Sequence, residues 1–157
     1  MKQPQRILIM GLPGSGKTTL ARALAPKLKA VHWNADAVRA HINSHLGFSE
    51  QDRIEQARRM GWLCDQVTAA GSWAIADFVC PTPITRAAFG PATVIWVDTI
   101  KEGRYEDTNK MFIPPDTYRW RVDTQNCEFW AKAIFEELDL EARPSWIKAM
   151  LFVMAER

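Results

Sequence analysis

The sequence lacks the features of a secreted, membrane-spanning or nucleic-acid-binding protein. It has only 3 cysteines, Cys64, Cys80 and Cys127, with no CxxC spacing, which indicates reduced thiols in a cytoplasmic protein. After the polar start at residues 1–6, about five apolar residues precede a glycine-rich segment, too few for a signal peptide or a membrane span. The net charge is only +2 and the basic residues are scattered, so a nucleic-acid partner is not expected.

Repeats, low-complexity tracts and linkers are also missing, and a length of 157 residues predicts one domain over residues 1–157. Short apolar runs alternate with helical patterns, which predicts an α/β fold with a parallel sheet and helices on both faces. We assign the seven tryptophans to the core, residues 99–118 to a loop, and 145–156 to an amphipathic helix. The predicted strands are 7–10, 31–33, 73–79, 93–98 and 118–123, and the other predicted helices are 17–29, 36–46, 50–71, 83–89 and 126–138.

The most informative motif is the segment GLPGSGKT at residues 11–18, which has the pattern G-x-x-x-x-G-K-[ST]. Glycines let backbone N–H groups turn inward around phosphates, the lysine neutralises them, and the hydroxyl of Thr18 ligates magnesium. The apolar run before the motif and the helix after it supply the required context. The motif predicts binding of ATP and magnesium through Gly11, Pro13, Gly14, Ser15, Gly16, Lys17, Thr18 and Thr19.

Other classes of P-loop protein fit the sequence less well. A GTPase would need an Asn-Lys-x-Asp guanine-binding motif, which the sequence does not contain. A motor ATPase would need further domains, for which 157 residues leave little room. A small-molecule kinase is therefore the predicted class.

Several segments beyond the glycine-rich motif resemble one kinase family. The motif with its next residue is similar to G-L-x-G-S-G-K-T-T, and residues 46–53, LGFSEQDR, match L-G-F-S-x-x-D-R. Weaker matches to D-G-D-x-V-R, E-N-x-R-R, I-S-P, V-D-T, K-N-F and R-V-D-T lie at 34–39, 55–59, 79–81, 97–99, 110–112 and 121–124. Over roughly residues 5–135 the chain thus resembles adenylylsulfate (APS) kinase.

The resemblance implies an activity, partners and a set of site residues. The activity is ATP-dependent phosphorylation of the 3′-hydroxyl of adenosine 5′-phosphosulfate, giving PAPS, in a protein that forms a homodimer. Lys17 and Asp36 are the implied catalytic residues, Thr18 and Asp36 hold magnesium, and Arg104 stacks on the ATP adenine. The implied acceptor-binding residues are Asp36, Arg39, Phe48, Arg53, Gln56, Cys80, Pro81, Lys110 and Phe112.

The sequence departs from the family pattern at three points. Asn34 stands at the first carboxylate of D-G-D, Cys80 stands at the serine of I-S-P, and the segment after Asp98 is short, with no counterpart of the K-G-L-Y-K-K-A-R stretch. These departures keep a second hypothesis open, a kinase acting on another small acceptor such as a nucleoside or nucleotide. A third hypothesis is a nucleotide-binding regulatory module without turnover.

Several site residues have a structural alternative when they are considered without the family. Asp36 suits a base that takes the acceptor proton, or it caps the helix that begins there. Asp77 and Asp98 each end an apolar run, and either could orient a magnesium-bound water. Without the family, Arg39 and Arg53 would belong to a solvated helix face. Phe48 and Phe112 would belong to the core, and Cys80 would be a packed thiol at a strand end.

Overall fold

The computed structural model of the protein describes residues 5–156. The strands are β1 Arg6–Met10, β2 Val31–Asn34, β3 Ala74–Asp77, β4 Thr93–Val97 and β5 Trp120–Val122. They form one parallel sheet in the order β2-β3-β1-β4-β5. The first four residues of the predicted polar start (1–6) and the last residue, 157, lie outside the described part of the chain.

Helices cover both faces of this sheet, so the predicted fold class is confirmed. They are α1 Lys17–Leu28, α2 Ala35–His41, α3 Glu50–Ala69, α4 Pro83–Phe89, α5 Glu106–Met111, α6 Cys127–Ala142 and α7 Ser145–Ala155. Successive residues of β1 point to opposite faces: Ile7 and Ile9 pack with α1 and α6, whereas Leu8 and Met10 pack with α2, α3 and α4. The continuous apolar run of β1 is therefore explained by burial on both sides.

Side-chain caps fix where two helices near the site begin. The Ser49 hydroxyl accepts the backbone N–H of Asp52 at 3.1 Å and begins α3, as predicted. The Asn34 side chain accepts the N–H of Ala37 at 2.9 Å and begins α2.

Helix α2 ends at His41, earlier than predicted. The buried Asn43 that follows it donates to Gln56 of α3 at 2.9 Å, which ties the connecting segment to α3.

Two other expectations also differ from the structure. The segment 99–118 was predicted as a loop, but it contains helix α5, which buries Thr108. Asn109 of this helix makes a reciprocal pair of hydrogen bonds with the backbone of Gly103. None of the seven tryptophans is fully buried, and Trp62 and Trp146 are 57% and 67% exposed. Four others pack against the core while partly exposed: Trp33, Trp73, Trp120 and Trp130.

Helix α7 also differs from the amphipathic helix that was expected. It has no buried residue, and residues 150–154 are consecutive, apolar and exposed. Because successive helical residues are rotated by about 100°, five in a row surround the helix with apolar side chains. Within residues 5–156, no helix has both the length and the apolar character needed to cross a membrane.

Candidate functional site

The phosphate-binding loop joins the carboxyl end of β1 to the start of α1, where parallel sheets place their ligands. Gly11 has φ +150°, and a Cβ there would lie 2.3 Å from the carbonyl oxygen of Val97. Gly16, with φ +103°, is the N-cap of α1 and adopts the left-handed conformation that favours glycine. These glycines let the chain turn so that the positive end of α1 faces the loop.

Two polar groups inside the loop fit a polyphosphate. The Ser15 hydroxyl is buried and, among the described residues, has no hydrogen-bond partner. The Lys17 ammonium donates to the carbonyl of Leu12 at 2.9 Å, and burial lowers its pKa to about 8 against the opposing effect of Asp77 and Asp36. A buried unpartnered donor and a desolvated cation both gain from an anion. The loop therefore has the donors that ATP phosphates require.

A polar cluster lies beside Thr18, at the carboxyl ends of β2 and β3. The Thr18 hydroxyl donates to Asp77 Oδ1 at 3.0 Å, and Asn34 Nδ2 lies 3.2 Å from Thr18 Oγ1 and from each Asp77 oxygen. Asp77 is 2% exposed, and its second oxygen, Oδ2, contacts His32 Nε2. Oxygen groups of this kind are what magnesium prefers. Thr18 and Asp77, together with Asp36 in the same cavity, are thus the residues that could hold the metal.

Asp36 is an exposed residue of the first turn of α2 and lines the cavity in front of the loop. The cap of this helix is Asn34, so capping does not account for Asp36. Asp98, the other candidate for the magnesium-bound water, accepts from Arg121 at 2.6 Å and does not line the cavity. Of the three aspartates, Asp36 and Asp77 are the two that share the cavity with the phosphate loop.

The main cavity, of about 650 Å³, contains most of the predicted site residues. From the phosphate side it is lined by Pro13, Gly14, Gly16, Lys17, Thr18, Thr19 and Arg104, and from the acceptor side by Asp36, Arg39, Phe48, Arg53, Gln56, Cys80 and Pro81. The two predicted halves of the site therefore form one continuous space.

Two arginines flank the exposed Phe48 ring on the acceptor side. The guanidinium carbons of Arg39 and Arg53 lie 4.5 and 5.6 Å from its centroid. Arg39 donates to the carbonyl of Gly47 at 2.7 Å, and Arg53 donates to the carbonyl of Phe48 at 2.9 Å. Burial is the main cause that lowers the pKa of Arg39, and the nearby positive charge of Arg53 lowers it further. Two positive charges beside an aromatic ring make a pocket suited to an anionic molecule that also carries a flat ring.

Two other predicted acceptor residues have structural contacts of their own. The buried Gln56 side chain donates to the carbonyl of Ala35 at 3.3 Å and accepts from Asn43, so it joins α3 to α2. Cys80 is fully buried with φ +47°, and burial raises the pKa of its thiol to about 12. These contacts agree with the packed-thiol alternative for Cys80 and with a supporting position for Gln56.

Four predicted residues do not line the main cavity. Gly11 lies beneath the loop against Val97, and Ser15 lines a second cavity. Lys110 pairs with Glu106 at 2.8 Å, and Phe112 packs against the core that α2, α3 and α4 cover.

The sequence did not point to Tyr105, Asp107 and Thr108, which line the main cavity from the start of α5. The available signal was the acidic first turn of α5, Glu106 and Asp107.

The second cavity, of about 290 Å³, adjoins the other side of the phosphate loop. Gly14, Ser15, Gly16 and Thr19 line it from the loop and α1, and residues 124–127 line it from the start of α6. Val97 and Val122, at the carboxyl ends of β4 and β5, also line it. Sequence reasoning did not identify residues 124–127 as part of the site.

Comparisons with known proteins give the same family as the sequence motifs. The family model for adenylylsulphate kinase matches residues 3–93. An adenylyl-sulfate kinase of Gloeothece citriformis is 36% identical over 80 residues, 48% of this chain and 46% of that protein. One from Geotalea daltonii is 39% identical over 104 residues, 60% of this chain and 51% of that protein. The chain thus spans about half the length of the curated relatives it matches.

Solved structures agree on the fold. The Mycobacterium tuberculosis APS kinase, solved in complex with AMPPNP and APS, has a TM-score of 0.75 at 20% identity, covering 87% of this chain and 98% of that one. Shikimate kinase from Acinetobacter baumannii, in complex with shikimate, has a TM-score of 0.57 at 16% identity, covering 90% and 96%. Since the family model matches more than half of the residues, and residues 11–18 form its phosphate loop, the chain belongs to the adenylylsulphate kinase family.

Proposed function

We propose that the protein transfers the γ-phosphoryl group of ATP to the 3′-hydroxyl of adenosine 5′-phosphosulfate, giving PAPS. The observation that carries the proposal is the continuous main cavity, in which the phosphate loop with Lys17 faces the pocket of Arg39, Phe48 and Arg53. Phosphoryl transfer needs alignment and charge stabilisation rather than covalent chemistry by the protein. One space holding both a phosphate site and an anion-binding aromatic pocket meets that need.

On the donor side, Lys17 and the Ser15 hydroxyl bind the phosphate oxygens. Lys17 exchanges its hydrogen bond to the Leu12 carbonyl for the terminal phosphates and stabilises the charge that builds up during transfer. Arg104 lines the main cavity beside Gly14, which lines both cavities, and from there it stacks on the ATP adenine. The adenine itself extends into the second cavity, beside residues 124–127.

On the acceptor side, Arg39 and Arg53 bind the sulfate and phosphate oxygens of the acceptor while the adenine lies against Phe48. This arrangement directs the 3′-hydroxyl towards Asp36, which takes its proton. Thr18 and Asp36 would hold magnesium. Magnesium at this place would supply neutralisation of the phosphate charge.

An acceptor panel tests this function. The protein is incubated with ATP and magnesium and with APS, adenosine, AMP, dTMP or gluconate, and ADP release is measured above the acceptor-free background. We expect APS to give the largest rate and adenosine, which lacks the anion, a poor one. A larger rate with another acceptor would favour the second hypothesis, and no rate with any acceptor would favour a binding module. The Lys17→Ala variant is the background control.

We also propose the extent of the domain, the cellular location of the protein and the process that its reaction serves. Residues 1–157 form one P-loop kinase domain, which is supported by the single sheet that all five described strands share. The three cysteines have free thiols, and this supports a cytoplasmic location. The reaction would serve sulfate assimilation.

We further propose that two copies of the chain form a homodimer through α7. Six of its apolar side chains are 36–67% exposed: Trp146, Met150, Leu151, Phe152, Val153 and Met154. Pairing two such helices would remove part of this apolar surface from water, which favours association. Light scattering after size exclusion should give twice the 17.9 kDa chain mass, and Trp146→Glu with Phe152→Glu should give monomers. A wild-type monomer at micromolar concentration would contradict the dimer.

A further inference from the structure

The chain that follows β4 contacts the phosphate loop at two points before α5 begins. The Thr99 hydroxyl donates to the carbonyl of Ser15 at 2.6 Å. Further along, Gly103 approaches Pro13 so closely that a Cβ at Gly103 would lie 3.0 Å from Pro13 Cδ and from its carbonyl oxygen. A close backbone approach of this kind favours glycine, because any larger residue would push the two segments apart.

One side chain closes the turn that begins at Gly103. The Gly103 N–H donates to Asn109 Oδ1 at 2.8 Å, and Asn109 Nδ2 donates to the Gly103 carbonyl at 3.0 Å. An amide side chain carries a donor and an acceptor next to each other, so it can satisfy both backbone groups of one residue. Asn109 thereby joins the two ends of residues 103–109, here named the 103–109 turn.

Local helix signals do not explain the shape of this turn. Helix α5 has six residues, too few to be stable on its own, and its N-cap, Tyr105, makes no side-chain capping hydrogen bond. The Asn109 N–H donates to the Tyr105 carbonyl at 3.0 Å, an ordinary helical bond. The two bonds of the Asn109 side chain are therefore the contacts that fasten α5 back onto Gly103.

The 103–109 turn places Arg104 beside the phosphate loop. Arg104 Nη2 lies 3.9 Å from the position that a Cβ of Gly14 would take. Within residues 5–156 the Arg104 guanidinium makes no hydrogen bond or ion pair, and its ring contact is with the adjacent Tyr105, at 6.0 Å from the centroid. No side-chain partner outside the turn holds Arg104 there, so its place follows from the backbone of the turn.

We propose that Asn109 is a positioning residue for the donor nucleotide: by binding both backbone groups of Gly103, it holds Arg104 where the adenine of ATP stacks. This inference rests on the proposed function, which gives Arg104 that contact. A guanidinium that is already in place loses less freedom when the nucleotide binds, so the affinity rises. Asn109 is not among the residues that line the main or the second cavity, and it acts through Arg104 alone.

A double-mutant cycle tests this role. Calorimetry gives the affinity for ADP of the wild type, Asn109→Ala, Arg104→Ala and the variant with both changes. We expect each single change to weaken ADP binding by about 3- to 30-fold, the scale of a cation stacked on an aromatic ring. The double variant should bind ADP no more weakly than Arg104→Ala, because the two residues act as one unit. A residue that only supports the fold would give no loss of affinity, or a loss that adds to that of Arg104→Ala.

Three further variants sharpen the test. Asn109→Asp keeps the acceptor for the Gly103 N–H and loses the donor, so its ADP affinity should lie between those of the wild type and Asn109→Ala. Gly103→Ala keeps Asn109 but forces the turn away from Pro13, and it should weaken ADP binding only while Arg104 is present. Glu106→Gln is the matched control and should bind ADP like the wild type, because Glu106 lies in the same turn but pairs with Lys110 at the surface.

The outcomes separate this inference from the proposed function. Folded Asn109→Ala or Arg104→Ala with wild-type ADP affinity overturns the positioning role, and so does a double variant that binds ADP much more weakly than Arg104→Ala. If Asn109→Ala does not fold, Gly103→Ala and Asn109→Asp decide in the same way. A wild-type protein that binds no ADP contradicts the kinase proposal and this inference with it. If the wild type binds ADP but turns over no acceptor, a cycle with the expected affinities supports the role of Asn109, and only the reaction is contradicted.

Discussion

Arg53 Nη2 lies 3.6 Å from Asp107 Oδ2, and this ion pair joins α3 to α5 along the wall of the main cavity. The Arg53 side chain is 10% exposed whereas that of Asp107 is 72% exposed. A bound acceptor anion therefore competes with a carboxylate that is itself open to solvent. The structure links the proposed anion-binding residue to the short segment that follows β4.

We expect opposite effects from changing the two partners. Arg53→Ala should raise the KM for APS by about ten- to a hundredfold, because a charge-assisted hydrogen bond to the anion is lost. Asp107→Asn should lower it by up to about fivefold, the scale of a partly exposed ion pair. Steady-state kinetics with each substrate varied in turn measures both. A parallel rise in the KM for ATP would mean instead that the contact supports the fold.

Lys17→Ala should reduce turnover at least about 10²-fold, because the cation that stabilises the transferring phosphoryl group is gone. The free protein should fold normally, since Lys17 makes one hydrogen bond, to the Leu12 carbonyl. Lys27→Ala, in the exposed last turn of the same helix, is the matched control. Near-wild-type turnover of Lys17→Ala would contradict the phosphate-loop assignment.

Asp36→Asn should lower kcat by roughly 10²-fold or more, with a smaller effect on the affinity for ATP. Because Asn34 caps α2, this variant should keep the wild-type Tm. If Asp36 were a helix cap, replacing it would instead lower the free energy of unfolding by about 1 kcal/mol. Thermal melts alongside kcat thus distinguish the two roles, and an active variant with a lowered Tm would leave Asp36 as a structural residue.

The main elements were predictable because their signals are local. The apolar run of β1, the glycine-rich motif and the helix with Leu20 and Leu24 follow one another in sequence, and they form one unit in the structure. The Ser49 cap was likewise readable, because its partner Asp52 is three residues away.

The remaining features depend on contacts between distant residues. Asp77 and Asp98 each follow an apolar strand, and only the sheet shows that Asp77 meets Thr18 while Asp98 meets Arg121. Helix α5 has six residues, too few for propensity to predict, and tertiary contacts such as the burial of Thr108 stabilise it. Its misassignment as loop explains why the cavity residues at its start were missed.

The thiols should differ in reactivity. Burial raises the pKa of both Cys64 and Cys80 to about 12, so both stay protonated and enclosed in the folded protein. We expect iodoacetamide at pH 8 to modify the partly exposed Cys127 alone, and all three cysteines after unfolding. Peptide mass spectrometry measures the sites. Rapid modification of Cys80 in the folded protein would argue for an accessible thiol in the acceptor pocket.

The partner of Phe48 in binding the acceptor ring should be Tyr105 rather than Phe112. Tyr105 is 54% exposed and lines the main cavity, whereas Phe112 packs against the core. Tyr105→Ala should raise the KM for APS by about five- to a hundredfold through lost stacking, worth roughly 1–3 kcal/mol per base, and leave the Tm unchanged. Tyr105→Phe, which keeps the ring, is the matched control and should bind APS like the wild type.

Phe112→Ala should show the reverse pattern. Removing a partly buried ring leaves a cavity beside the core, so the Tm should fall while the KM for APS stays near that of the wild type. Measuring KM and Tm for both variants places each ring either at the acceptor or in the core. A raised KM with an unchanged Tm for Phe112→Ala would mean that α5 rearranges when the acceptor binds and that the pairing of Phe48 with Phe112, implied by the family resemblance, is correct.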